Sequence, residues 1–115
     1  MAALAEYDQY DAVELARLVR KKDVKPQELL QEARTRADAL NGRLNAIVYR
    51  CDDLAETAIS RISGGEAFPG VPFLVKDLGP ALAGTPNTRG SRLFKNYIPK
   101  EDGEIKHGHR AHFDA

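Results

Sequence analysis

Lys76 directly follows Val71-Pro72-Phe73-Leu74-Val75, a nearly unbroken apolar run. A lysine in that position has two readings. The ammonium marks where a strand leaves the core and snorkels to water, or burial favours the neutral amine and makes it a general base or Schiff-base nucleophile. A base needs a group to deprotonate, and the serines are Ser60, Ser63 and Ser91. Ser60 and Ser63 fall on or just after a helical stretch, where surface and capping roles are ordinary. Ser91 lies in the loop beyond Lys76 and could approach it. Schiff-base chemistry would want a phosphate cradle or an electron sink, and no such motif accompanies Lys76. His107, His109 and His112 could converge on one metal ion. A controlled site needs fixed ligands and a supporting shell, so neither a metal nor a cofactor is expected. Cys51 shares an apolar helical face with Leu54 and Ala58 and reads as a small buried hydrophobe.

The elements that must hold Lys76 follow from periodicity. Ala12, Leu15, Ala16 and Val19 recur at helical spacing between Asp11 and Lys21. Asp11 and Glu14 form a variant capping box at the start, and Arg20, Lys21 and Lys22 suit the negative end. A second helix starts at Pro26, carries Leu30, Ala33, Ala37 and Leu40 on one face, and stops at Asn41-Gly42. Glu32 and Arg36, four apart, support its wet side. Residues 44–49, ending Ile47-Val48-Tyr49, predict a short strand. A third helix takes Cys51, Leu54, Ala55, Ala58 and Ile62, closed by Gly64-Gly65. Residues 71–75 then predict a strand covered on both faces, and the breaker-rich residues 78–92 a long loop at its carboxyl end, where active sites tend to lie.

The fold class expected is therefore α/β: helices packed on part of a mixed sheet, in the order α-α-β-α-β-long loop. Lys+Arg and Asp+Glu both number 17, leaving a formal net charge of zero. That balance offers no footprint for nucleic acid and no attraction to an anionic membrane. It does ease association between copies, through any sheet edge left exposed. The amino terminus lacks the basic flank and apolar run of a secretory signal, and no apolar stretch approaches the ~20 residues of a membrane span. With one cysteine and no intrachain disulfide, a cytoplasmic, reducing setting is the simplest placement.

The run Gly70-Val71-Pro72-Phe73-Leu74-Val75-Lys76-Asp77 resembles the strand that leads to the catalytic lysine of the amidase-signature family. Four further pieces are similar in order and spacing: Tyr10 to Arg20, Pro26 to Leu30, the passage Leu40-Asn41-Gly42-Arg43-Leu44-Asn45-Ala46-Ile47-Val48, and the loop from Ala83 to Phe94. Together they cover roughly residues 7 to 105. The resemblance implies a carboxamide C–N hydrolase, or the related protein that releases ammonia for amidation of a charged transfer RNA. In such enzymes a lysine deprotonates a bridging serine held in a cis peptide, which deprotonates the nucleophilic serine. Backbone N–H groups hold the oxyanion. On that mapping Lys76 is the catalytic residue this chain supplies, acting on an amide small molecule.

Two departures accompany the resemblance. The family's Gly-Gly-Ser-Ser-Gly-Gly core is absent from this sequence, and with it the serines Lys76 would serve. After about Ile105 the periodicity is lost, and residues 106–115 read as a separate, unstructured His-rich tail, foreign or frameshifted, on a shortened reading frame; residues 1–105 read as the amino-terminal part of the family domain. Two functions follow as expectations: an amidase fragment inactive by itself, or a non-catalytic α/β module that docks on another chain.

Overall fold

The computed structural model describes residues 5–78 and 82–103, and the expected His-rich tail lies outside the described residues. Two compact units divide the chain between Pro72 and Phe73.

The first unit begins with a 3₁₀ turn, Tyr7–Gln9, and three helices follow: α1 (Ala12–Arg20), α2 (Pro26–Leu44) and α3 (Asp52–Ser60). At the start of α1 the Asp11 carboxylate accepts the N–H of Glu14 at 2.8 Å, satisfying one orphan donor of the first turn. Its far end closes with Lys22 in the left-handed region at φ 62°. The N–H groups of Asp23 and Lys22 return to the carbonyls of Leu18 and Val19, both at 3.0 Å. This is a Schellman closure with lysine at the position glycine usually takes. Pro26 opens α2 with its fixed φ, and the Glu28 carboxylate accepts the Lys25 N–H at 3.4 Å.

Leu15, Leu18, Val24 and Leu29 form the core, with Tyr7, Tyr10, Val19 and Val71 packed against it. Each fully buried leucine contributes about 1.5–3 kcal/mol, so these few side chains carry much of the unit's stability. The expected stripe on α1 is seen at Leu15 and Ala16, joined by Leu18. On α2 the buried residue is Leu29, at 0% exposure, whereas Leu40 of the expected face is 46% exposed. Helix α2 meets α3 through Arg34, which reaches Asp52 at 3.3 Å and Glu56 at 3.0 Å. On the other side of α2 the Arg36 guanidinium bonds Glu32 at 2.7 Å and lies over the Tyr7 ring, 5.2 Å from its centroid.

The α/β expectation is overturned: among the described residues there is no strand and no sheet. A strand exists by its ladder, and neither apolar run has one. Helix α2 passes through Asn41-Gly42 and ends only at Asn45, whose left-handed backbone at φ 49° caps it. The Asn41 side chain then takes the place of a neighbouring strand. Its amide donates to the Ile47 carbonyl at 3.0 Å and accepts the Ile47 N–H at 2.8 Å, so the chain leaves the helix end without a ladder. The second run leaves Phe73, Leu74 and Val75 exposed at 49, 75 and 40%.

Candidate functional site around Lys76

The segment that precedes Lys76 in sequence closes the first unit. Residues 61–70 turn back toward α1, and Glu66 organises the turn from within. Its carboxylate accepts the N–H of Ser63 at 2.8 Å, the Ser63 hydroxyl at 3.0 Å and the N–H of Gly64 at 2.8 Å. These bonds, the Ser63 N–H first, pull its carboxyl down to about 2 against the opposing effect of desolvation. The Arg20 guanidinium donates to the carbonyls of Glu66 at 3.0 Å and Ala67 at 2.6 Å, tying the turn to the end of α1. Pro69 is fully buried. Gly70, at φ 74°, packs so closely on Pro26 that a Cβ would come within 2.9 Å of the proline Cβ.

Lys76 itself belongs to the second unit and is exposed. The covered site that base chemistry needs is not built by the described residues around it. What the second unit does build is a folded loop. The N–H of Gly84 donates to the Pro99 carbonyl at 3.0 Å and that of Asn87 to the Tyr97 carbonyl at 3.1 Å. The Asp102 carboxylate accepts the Ala83 N–H at 2.8 Å. Thr85 and Asn87 are buried within this arrangement. Phe94 packs edge-on against Tyr97, with ring centroids 6.3 Å apart, and the Arg89 guanidinium lies 5.0 Å over Phe94.

Asp77 connects Lys76 to that loop. One carboxylate oxygen accepts the Thr88 N–H at 2.7 Å, and the other accepts the Thr88 hydroxyl. The roles of Asp77 and Thr88 are missed by sequence reasoning. The signal is an acid next to the candidate base, with a residue carrying two donors eleven positions on, and nothing in the sequence says that the loop closes over that separation.

The serines occupy structural positions. Ser60 donates to the Thr57 carbonyl at 2.6 Å, Ser63 donates to Glu66, and Ser91 caps the 3₁₀ turn Arg92–Phe94 by accepting the Leu93 N–H at 3.2 Å. Cys51 is half-buried at the start of α3 rather than deep on its apolar face. Among the described residues no group of histidine, cysteine and acidic side chains could hold a metal ion, and His107, His109 and His112 lie outside them. No described helix is long and apolar enough to cross a membrane.

Similarity to known proteins bears on this segment directly. The family model described as Amidase matches residues 28–110, which include Lys76, Asp77 and Thr88. The Lipoamidase of Enterococcus faecalis is 37% identical over 95 residues, covering 82% of this chain and 13% of that protein. A component of the glutamyl-tRNA(Gln) amidotransferase of Deinococcus radiodurans is 40% identical over 92 residues, 76% of this chain and 19% of that one. Its counterpart in Deinococcus deserti is 40% identical over 95 residues, with 78% and 19% covered. The chain therefore spans less than a fifth of the length of these relatives. No solved structure matches it.

Proposed function

This chain belongs to the amidase family, and we propose that it supplies the base, Lys76, to a hydrolase that cleaves carboxamide C–N bonds. The observation that carries the reading is the run from Gly70 to Asp77, which sets Lys76 at the end of an apolar segment inside the matched region. In this reading the neutral Lys76 amine takes a proton from a bridging serine, which takes one from the nucleophilic serine. The nucleophile attacks the carboxamide carbon, the amine or ammonia leaves with the returned proton, and water hydrolyses the acyl ester. Both serines and the oxyanion donors come from protein outside these 115 residues.

Phe73, Leu74 and Val75 support the reading, because three exposed apolar side chains ahead of the base suit a segment covered by the serine-bearing part. Covering them would also place Lys76 in the apolar surroundings that a lysine base requires. The substrate class is a small carboxamide. The lone Cys51 accords with a cytoplasmic setting.

The test is complementation. A relative from the same family, deleted of its own matching segment, is mixed with this chain, and ammonia release from a simple aliphatic carboxamide is followed. Hydrolysis is expected only with both pieces present, and Lys76→Met is expected to lower it by roughly 10²–10⁴-fold, the range for loss of a general base. A mixture that works equally well with Lys76→Met would sink the reading.

A further inference from the structure

Each carboxylate oxygen of Asp77 bonds Thr88, one accepting its N–H at 2.7 Å and the other its hydroxyl. Bonds to an ionised acceptor are about twice as strong as neutral ones, and two of them to one partner fix direction as well as distance. Thr88 is itself held. Its carbonyl accepts the Ser91 N–H at 2.9 Å, and its hydroxyl oxygen accepts the Gly90 N–H at 3.3 Å. The preceding residue, Asn87, is buried and bonded to the Tyr97 carbonyl. Asp77 thus grips a fixed part of the loop, one peptide away from Lys76.

We propose that Asp77 is a positioning residue for Lys76: its two bonds to Thr88 set the backbone from which the lysine reaches, so that the base is placed before any partner covers it. The inference rests on the reading of Lys76 as the base. A misplacement of about 1 Å costs on the order of 10²-fold in rate, which is the scale on which such a hold matters.

The experiment uses the whole 115-residue chain with Asp77→Ala, Thr88→Val, which removes the donor hydroxyl, and Thr88→Ser, which keeps it. Backbone 15N relaxation at Lys76 is the first readout. The order parameter is expected to fall from about 0.85 to below about 0.6 in Asp77→Ala, to fall part of the way in Thr88→Val, and to stay unchanged in Thr88→Ser, with the amides of α1 to α3 unaltered throughout. The second readout is the complemented hydrolysis: kcat is expected to drop roughly 10–100-fold in Thr88→Val at unchanged KM, and Thr88→Ser to restore it. Should Asp77→Ala fail to fold, the Thr88 pair decides alone. Unchanged order at Lys76 in Thr88→Val, or equal loosening in Thr88→Val and Thr88→Ser, overturns the proposal while leaving a Lys76-dependent hydrolysis intact. Hydrolysis indifferent to Lys76→Met, with order at Lys76 still lost in Thr88→Val, overturns the base reading and leaves the hold by Asp77 standing.

Discussion

Gly70 packs directly on Pro26, so close that a Cβ on the glycine would lie 2.9 Å from the proline Cβ and 3.0 Å from its Cγ. The pyrrolidine ring is rigid and opens α2, so it cannot swing aside. Gly70 also sits at φ 74°, where an L side chain costs roughly 1–2 kcal/mol. Overpacking adds about 1–3 kcal/mol. Gly70→Ala is therefore expected to lower the thermal midpoint by about 10 °C or more, measured by circular dichroism in the far ultraviolet. A midpoint barely changed from the parent would mean that the turn and α2 do not meet as described.

Lys22 gives the opposite case. It closes α1 at φ 62°, with a backbone geometry that glycine adopts without strain. Lys22→Gly is expected to stabilise the chain by about 0.5–1 kcal/mol, the left-handed strain relieved less the extra freedom glycine gains when unfolded. Urea unfolding with unchanged slope and a higher midpoint is the expected result.

Leu29 and Leu30 are neighbours on α2 with unequal duties. Leu29 is fully buried against Leu15, Leu18 and Val24, whereas Leu30 is only half-buried. Leu29→Ala is expected to cost about 2–5 kcal/mol, enough to unfold much of the population of a small domain. Leu30→Ala should cost about 1 kcal/mol. Equal losses in the two variants would contradict the described core.

Sequence legibility divides along the same line between local and tertiary causes. The cap at Asp11, the start at Pro26 and the Glu32–Arg36 pair are local, and each is seen where periodicity and capping chemistry put it. Leu29 was not legible, because α2 has apolar residues at two adjacent positions and only the packing of α1 selects between them. Residues 44–49 have the composition of a strand, yet the Asn41 amide supplies both bonds to Ile47; composition reports suitability for a sheet, not the presence of a partner. Residues 71–75 show the same limit, with Phe73, Leu74 and Val75 exposed. Of the candidate site, the apolar run marks Lys76 but leaves open whether it snorkels or acts as a base, and the base reading comes from the family resemblance. The Asp77–Thr88 bonds were not legible, because they depend on how the loop closes.

The Glu66 carboxyl, held at about 2 by the N–H groups and hydroxyl around it, makes a prediction about acid stability. Unfolded, the group titrates near about 4.3. A folded-state value below the unfolded one means that the unfolded chain binds the proton more readily, so the stabilisation is complete above roughly pH 4.3 and is lost as pH falls from there toward about 2. Glu66→Gln keeps the shape but has no charge to lose. Its unfolding midpoint in urea is expected to lie below that of the parent at about pH 7, and the two should converge as pH is lowered to about 3. Parallel curves across that range would count against the Glu66 cradle.

Ser91 separates a structural serine from a chemical one. It lies just beyond Thr88 and so belongs to the loop that Asp77 holds, where a Lys76–Ser91 pair could be imagined. Its oxygen, however, accepts the Leu93 N–H at 3.2 Å and starts the turn Arg92–Phe94. A nucleophile also needs donors aimed at the oxyanion, and Ser91 is followed by a capped turn instead. A fluorophosphonate probe is therefore expected to leave Ser91 unlabelled in the isolated chain, as read by intact-mass and peptide spectra, with or without Lys76→Met. Ser91→Ala should cost about 0.5–2 kcal/mol as a lost cap, and Ser91→Asp should recover most of it, because a carboxylate caps as well as a hydroxyl. A stoichiometric Ser91 adduct that disappears with Lys76→Met would instead show a working dyad within these 115 residues, and the requirement for serines from elsewhere would fall.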